Sequence, residues 1–118
     1  MATLFGRQAK AQAAALAREL AALGGERPAP PRPEDLKGLE ELRTEADYVG
    51  FAIRLENAAV RRCVEALQGL QTATPLETVA RVMGATGQRL VILRQALSAD
   101  PGDWAPDAFE TGTSPPPA

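Results

Sequence analysis

Histidine is absent from this chain, which removes the commonest general base and every Ser-His or Cys-His nucleophilic pair. Cysteine occurs once, at Cys63. That excludes an intrachain disulfide and any cysteine-rich metal pattern, and the residue reads as a small buried apolar group. Aromatic residues make up only 4% of the chain against 45% hydrophobic residues, so the core has to be built from Leu, Val, Ile and Ala, a composition that favours helices. There is no basic excess: the net charge is −2, which gives no electrostatic footprint for nucleic acid. No long apolar run follows Met1, so neither a secretory signal nor a membrane span is expected, and the expected location is cytoplasmic. Gly24-Gly25 has no phosphate-loop spacing and follows a helical pattern rather than a strand. The basic clusters Arg61-Arg62 and Arg7 to Lys10 read as solvated helix faces.

What remains is a helical pattern of a size suited to one domain. Thr3 to Leu23 is rich in Ala, Leu, Glu and Arg and closes at Gly24-Gly25, where glycine takes a left-handed cap conformation. A connector, 26–43, follows, with prolines at 28, 30, 31 and 33 that bias it toward extended geometry; within it, Glu34 to Arg43 suits a short helix or a few turns. A second helix is predicted from Thr44 to Leu70, opened by the capping-box pair Thr44 and Asp47. A third is predicted from Pro75 to Leu97, with Thr74 as N-cap, Pro75 at the first helical position and Glu77 three residues after the cap. The domain is drawn as 1–112, and the Thr-Ser-Pro segment 113–118 reads as a disordered tail.

The short link between the second and third helices requires an antiparallel hairpin. The long connector before them, about 18 residues reaching ~60 Å when extended, is enough to return along a ~40 Å helix. A short loop on one side and a long crossover on the other is the wiring of ferritin-like bundles.

Particular segments carry a resemblance as well. Leu55-Glu56-Asn57-Ala58-Ala59-Val60 resembles the third-helix segment of bacterial ferritin-like domain proteins, relatives of the di-iron carboxylate four-helix bundles. Val91-Ile92-Leu93-Arg94 and Trp104-Ala105-Pro106-Asp107-Ala108-Phe109-Glu110-Thr111 are similar to that family's closing segment. Ala13 to Gly25, with the prolines after it, is similar to its second helix and crossover. The resemblance spans about residues 5 to 111 and implies an all-α fold: three main helices of a ferritin-like bundle, without a counterpart of the family's first helix, completed by self-association or by a related ferritin-like chain. The family holds two irons with inward glutamates and Glu-x-x-His pairs. Here only Glu56 matches a ligand position; Ala9 and Gln12, and Thr86 and Arg89, stand at the other matched ones. The resemblance therefore implies a degenerate site with no metal and no cofactor.

Glu56 lies in the apolar seam of its helix, where an unpaired carboxylate is costly. Arg89 on the next helix is the expected partner, in the place where the family has histidine. The apolar stripes Val49, Ile53, Val60 and Leu67 on one helix and Leu76, Met83, Leu90 and Leu93 on the next would leave a large exposed patch if unfilled, so they are expected to be the association seam of a homodimer or of a pairing with a related chain. A compact three-helix bundle with the first helix rolled into the gap is the simpler alternative. The function expected is that of a non-catalytic structural or accessory interaction subunit. Two alternatives predict different features. A ferroxidase-type protein would gather Glu56 with acids such as Glu45, Asp47 or Glu65 at a subunit interface, and a carrier of a small apolar ligand would have a large apolar pocket.

Overall fold

The computed structural model describes residues 2–118 and is all-helical, with no strand among them. Its three long helices are α1 (Ala2–Ala22), α2 (Glu45–Gly69) and α3 (Ala73–Leu97). None is long and apolar enough to cross a membrane.

Helix α1 ends at a glycine cap, as its sequence predicts. Gly24 takes φ +82°, and the Gly24 and Gly25 N–H groups donate to the carbonyls of Ala21 and Leu20, satisfying acceptors that the helix itself leaves open. The connector holds two short 3-10 turns, Pro33–Asp35 and Leu39–Glu41, in place of a regular short helix. Helix α2 opens on the expected capping box. The Asp47 N–H donates to Thr44 Oγ1 at 3.1 Å, and Asp47 Oδ2 accepts from the Thr44 N–H at 3.0 Å.

The start of α3 differs from its predicted one. Thr72, not Thr74, is the N-cap, and it makes no side-chain capping bond. Pro75 therefore occupies the third helical position, which it tolerates because no N–H in the first turn has a partner within the helix. The α2–α3 connection shrinks to Leu70–Thr72, and the two helices form a close antiparallel pair.

The core lies along this pair. Ile53 and Val60 of α2 and Leu90 and Leu93 of α3 are at most 5% exposed and pack together. They were expected in the association seam; being buried within one chain, they are core and not contact surface. Val49, Leu67, Leu76 and Met83, the rest of that seam, are half-buried, with Val49 and Met83 packed against the same cluster. Helix α1 lies against α3, adds Phe5 to the core, and makes few contacts with α2. It runs antiparallel to α3, because Gln12 meets Arg89 while Glu19, two turns later, accepts from Thr78 Oγ1 at 3.0 Å. The radius of gyration, 15.1 Å, exceeds the ~13.5 Å of a compact domain of this length, which fits helices that flank α3 without closing on each other.

After α3 the chain turns over Pro101–Asp103, where the Trp104 indole donates to the Ser98 carbonyl at 2.8 Å. The segment expected to be a disordered tail then runs back along α2. It passes Arg61 at Gly112, Arg54 at Pro116, and Gly50 at Pro117 and Ala118.

Candidate functional site

At mid-bundle, the buried guanidinium of Arg89 gathers groups from all three helices. Its Nε and Nη2 donate to Glu56 Oε1 at 2.9 Å and Oε2 at 3.1 Å, the planar two-point pairing that suits arginine and carboxylate. Nη2 also reaches Gln12 Oε1 at 3.0 Å and Thr86 Oγ1 at 3.1 Å, and Nη1 points at Gln8 Oε1 at 3.4 Å. The Thr86 hydroxyl in turn donates to the Val82 carbonyl one turn back. The side chains of Arg89 and Glu56 are 5% and 18% exposed, so the pair is screened from water but open at one edge.

Periodicity explains how these groups meet. Thr86 and Arg89 are three residues apart on α3, Gln8 and Gln12 are four apart on α1, and Glu56 continues the Ile53–Val60 face of α2. Of the four positions that the resemblance pairs with ligands besides Glu56, Gln12 and Thr86 join Glu56 around the guanidinium of the third, Arg89. Ala9 is exposed and does not join them. Gln8, absent from the sequence reading, does; its signal was the i, i+4 spacing from Gln12.

The acids considered as further ligands lie elsewhere. Asp47 is held at the α2 N-terminus, where N–H groups of Thr44 and Arg43 keep its carboxyl below the usual range. Glu65 is exposed and pairs with Arg62 at 3.3 Å, and Glu45 is exposed in the first turn. Among the described residues, no three Cys, Asp or Glu side chains converge. Cys63 is buried, and burial pushes its thiol pKa up, which leaves it a poor nucleophile.

A second polar cluster lies on the other edge of the α2–α3 pair, and the sequence reading missed it. Arg94 is 2% exposed and has no carboxylate partner among the described residues. Its charge meets main-chain carbonyls instead: Pro115 O at 2.9 Å, Ser114 O, and more distantly Asp103 O. Asn57, also buried, donates to Ser114 O at 2.7 Å, and Arg61 donates to Gly112 O. The signal was there in the sequence: Arg94 follows the core residue Leu90 by four, and Asn57 follows Ile53 by four.

Beyond Glu56, on the side of α2 away from Asn57 and Arg61, runs an apolar stripe. Tyr48, Ala52, Leu55 and Ala59 recur at helical spacing, with Tyr48 55% and Leu55 47% exposed. The corresponding edge of α1 carries Ala9, Ala13, Leu16 and Leu20, with prolines 28, 30 and 31 beside the last three. The clefts on this molecule open to the surface, and none of those described is a closed apolar chamber. Comparison with family models, curated proteins and solved structures finds no match.

Proposed function

We propose that this chain is a non-catalytic, ferritin-like structural or accessory subunit that acts through protein–protein contact, with a second copy of itself as the first partner. The observation that carries the reading is the centre of the bundle. At the position where the resembled family gathers metal ligands, an arginine donates to Glu56, Gln12 and Thr86. A fixed guanidinium there replaces the charge that a metal would bring and occupies its ligands.

The helix directions support the wiring. Helices α1 and α2 both run antiparallel to α3, hence parallel to each other, so the 23–44 segment has to travel the length of the bundle, as a ferritin-like crossover does. Helices α1 and α2 flank α3 with few contacts between them. The stripe through Tyr48 and Leu55 on α2 stays exposed, while the α1 edge at Leu16 is flanked by Pro28, Pro30 and Pro31 of the connector. Apolar stripes of this length are covered by association in soluble bundles. This face, displaced by about one helix edge from the seam drawn from sequence, is the contact surface we assign.

Light scattering on the full chain tests the association. A mass of twice the 12.5 kDa chain is expected, and a monomer at all concentrations would overturn it. Addition of ferrous iron in air tests the absence of catalysis. Near-ultraviolet absorbance is expected to rise no faster than in buffer; faster oxidation would favour a ferroxidase.

A further inference from the structure

The seated tail places one serine between arginines. Arg54 and Arg61 stand two turns apart on one face of α2, about 10 Å along the axis. Asn57, between them, donates to the Ser114 carbonyl at 2.7 Å. Arg61 meets the tail at Gly112 and Arg54 meets it at Pro116, so Ser114 lies midway between the two guanidinium side chains. Together Arg54, Asn57, Arg61 and the tail line a cleft of about 270 Å³, room for a phosphoryl group with several waters at ~30 Å³ each.

What this edge lacks is an anion. Acids outnumber bases in the chain, 15 to 13, yet among the described residues none of Arg54, Arg61 and Arg94 forms an ion pair. Arg94 is 2% exposed with its Nε unpartnered, and its charge is met only by neutral carbonyls. The carboxylates nearby are turned to other donors: Glu110 accepts from the Gly112 N–H, Asp103 from the Ser98 hydroxyl, and Asp47 from the α2 cap. Ser114 is half-buried and, among the described residues, is held through its carbonyl and not its hydroxyl. The neighbouring Thr113 hydroxyl is already paired with that of Thr111.

We propose that Ser114 is a phosphorylation site whose phosphate is held by Arg54 and Arg61, fixing the tail against α2. A serine kinase supplies the group from ATP: the bond from Ser114 Oγ to the γ-phosphorus forms as the bond to ADP breaks, and the hydroxyl proton passes to the kinase's base. The product carries close to two negative charges and three strong acceptor oxygens, which opposite an arginine cluster make charge-assisted hydrogen bonds that order a segment. Unmodified, the tail is held by neutral carbonyls and leaves Asn57 Oδ1 and Arg94 Nε buried without partners, which weakens its hold. The chain joining it to α3, residues 98–111, contains only one short 3-10 turn, long enough for the serine to leave α2, meet the kinase and return. The inference does not depend on association.

The test uses the full chain with phosphoserine introduced at position 114 during translation. Phosphorus NMR reads the second ionisation of the phosphate, about pH 6 in water. Neighbouring positive charge favours the dianion, so this ionisation is expected at least about half a pH unit lower than in the free phosphopeptide 110–118. In the chain carrying Arg54→Gln and Arg61→Gln it is expected back at the peptide value; both arginines are exposed, so that variant keeps the core. Equal values in chain and peptide, or a lowering that survives both substitutions, would overturn the assignment. Thermal unfolding gives a second readout, with the modified chain expected to melt several degrees above the unmodified one; an equal or lower midpoint would overturn it. Inorganic phosphate added to the unmodified chain separates the sources of the group. A rise in midpoint as large as that from phosphoserine would make the cleft a site for free phosphate and remove Ser114 as its carrier. Incubation with ATP and a proline-directed serine kinase, read by mass spectrometry, is expected to modify Ser114 in preference to Thr74, the other hydroxyl residue followed by proline. Modification of Thr74 alone, or of neither, would contradict a tail that leaves and returns.

Discussion

Arg89 and Glu56 form a buried pair that is strong only while intact. Removing one member strands the other charge in a poorly solvated place, whereas replacing both with apolar groups removes the desolvation cost along with the attraction. Glu56→Ala is therefore expected to lower the unfolding free energy by about 3 kcal/mol, and the double variant Glu56→Leu, Arg89→Met to recover most of that loss. Urea denaturation of the two variants checks the pattern; a double variant as unstable as the single one would show that the pair contributes more than its charges. Cys63 gives a second expectation at this scale. Its burial and raised thiol pKa predict that a thiol reagent modifies it slowly in the folded protein and at once in denaturant. Rapid modification without denaturant would mean that the α2–α3 core opens freely.

Each helix terminus carries its own expectation. The Asp47 carboxylate accepts from two backbone N–H groups at the start of α2, which favours its ionised form and lowers its pKa in the folded chain. The sign follows directly: the contribution is complete above the ordinary aspartate value, about pH 4, and is lost as pH falls through the lower folded value. Asp47→Ala is expected to remove this part of the acid transition seen by circular dichroism, and Thr44→Ala to cost about 1 kcal/mol at neutral pH. An acid transition unchanged in Asp47→Ala would show that the cap makes no measurable contribution.

Legibility from sequence also divides at the scale of the element. Thr44 with Asp47, and Gly24-Gly25, were readable because capping depends on residue types at fixed short spacing. The start of α3 was misplaced because the threonine-proline signal at Thr74-Pro75 suits a first helical position, while Pro75 fits equally well two residues further in. The partnership of Glu56 with Arg89 was readable because a carboxylate on an apolar face demands a donor and the hairpin brings one near. The seating of the tail was not. It depends on contacts 51 and 57 residues apart in sequence, and its composition, rich in proline, threonine and serine, is the same as that of a free end. Burial of Arg94 without an acid could have been inferred only from its register with Leu90.

At the scale of the molecule, the two sides of α2 differ. One edge holds the tail by its main-chain carbonyls; the other leaves Tyr48 and Leu55 exposed, and it is there that the association is proposed. The seam drawn from sequence took the core face of α2 for the association face, because period alone locates an apolar stripe without saying which neighbour covers it. Ile53 and Val60 are covered by α3, and Leu55, about one helix edge away, is 47% exposed. Leu55→Glu therefore leaves the interior of the fold untouched while placing a charge on the proposed contact face.

The most direct measurement is thermal unfolding at two protein concentrations a hundredfold apart, for the unaltered chain and for Leu55→Glu. A folded dimer gains about 2.7 kcal/mol from such a change by mass action, so the midpoint of the unaltered chain is expected to rise by several degrees and that of Leu55→Glu to stay fixed. A midpoint independent of concentration in the unaltered chain would contradict the association on which the proposed function rests.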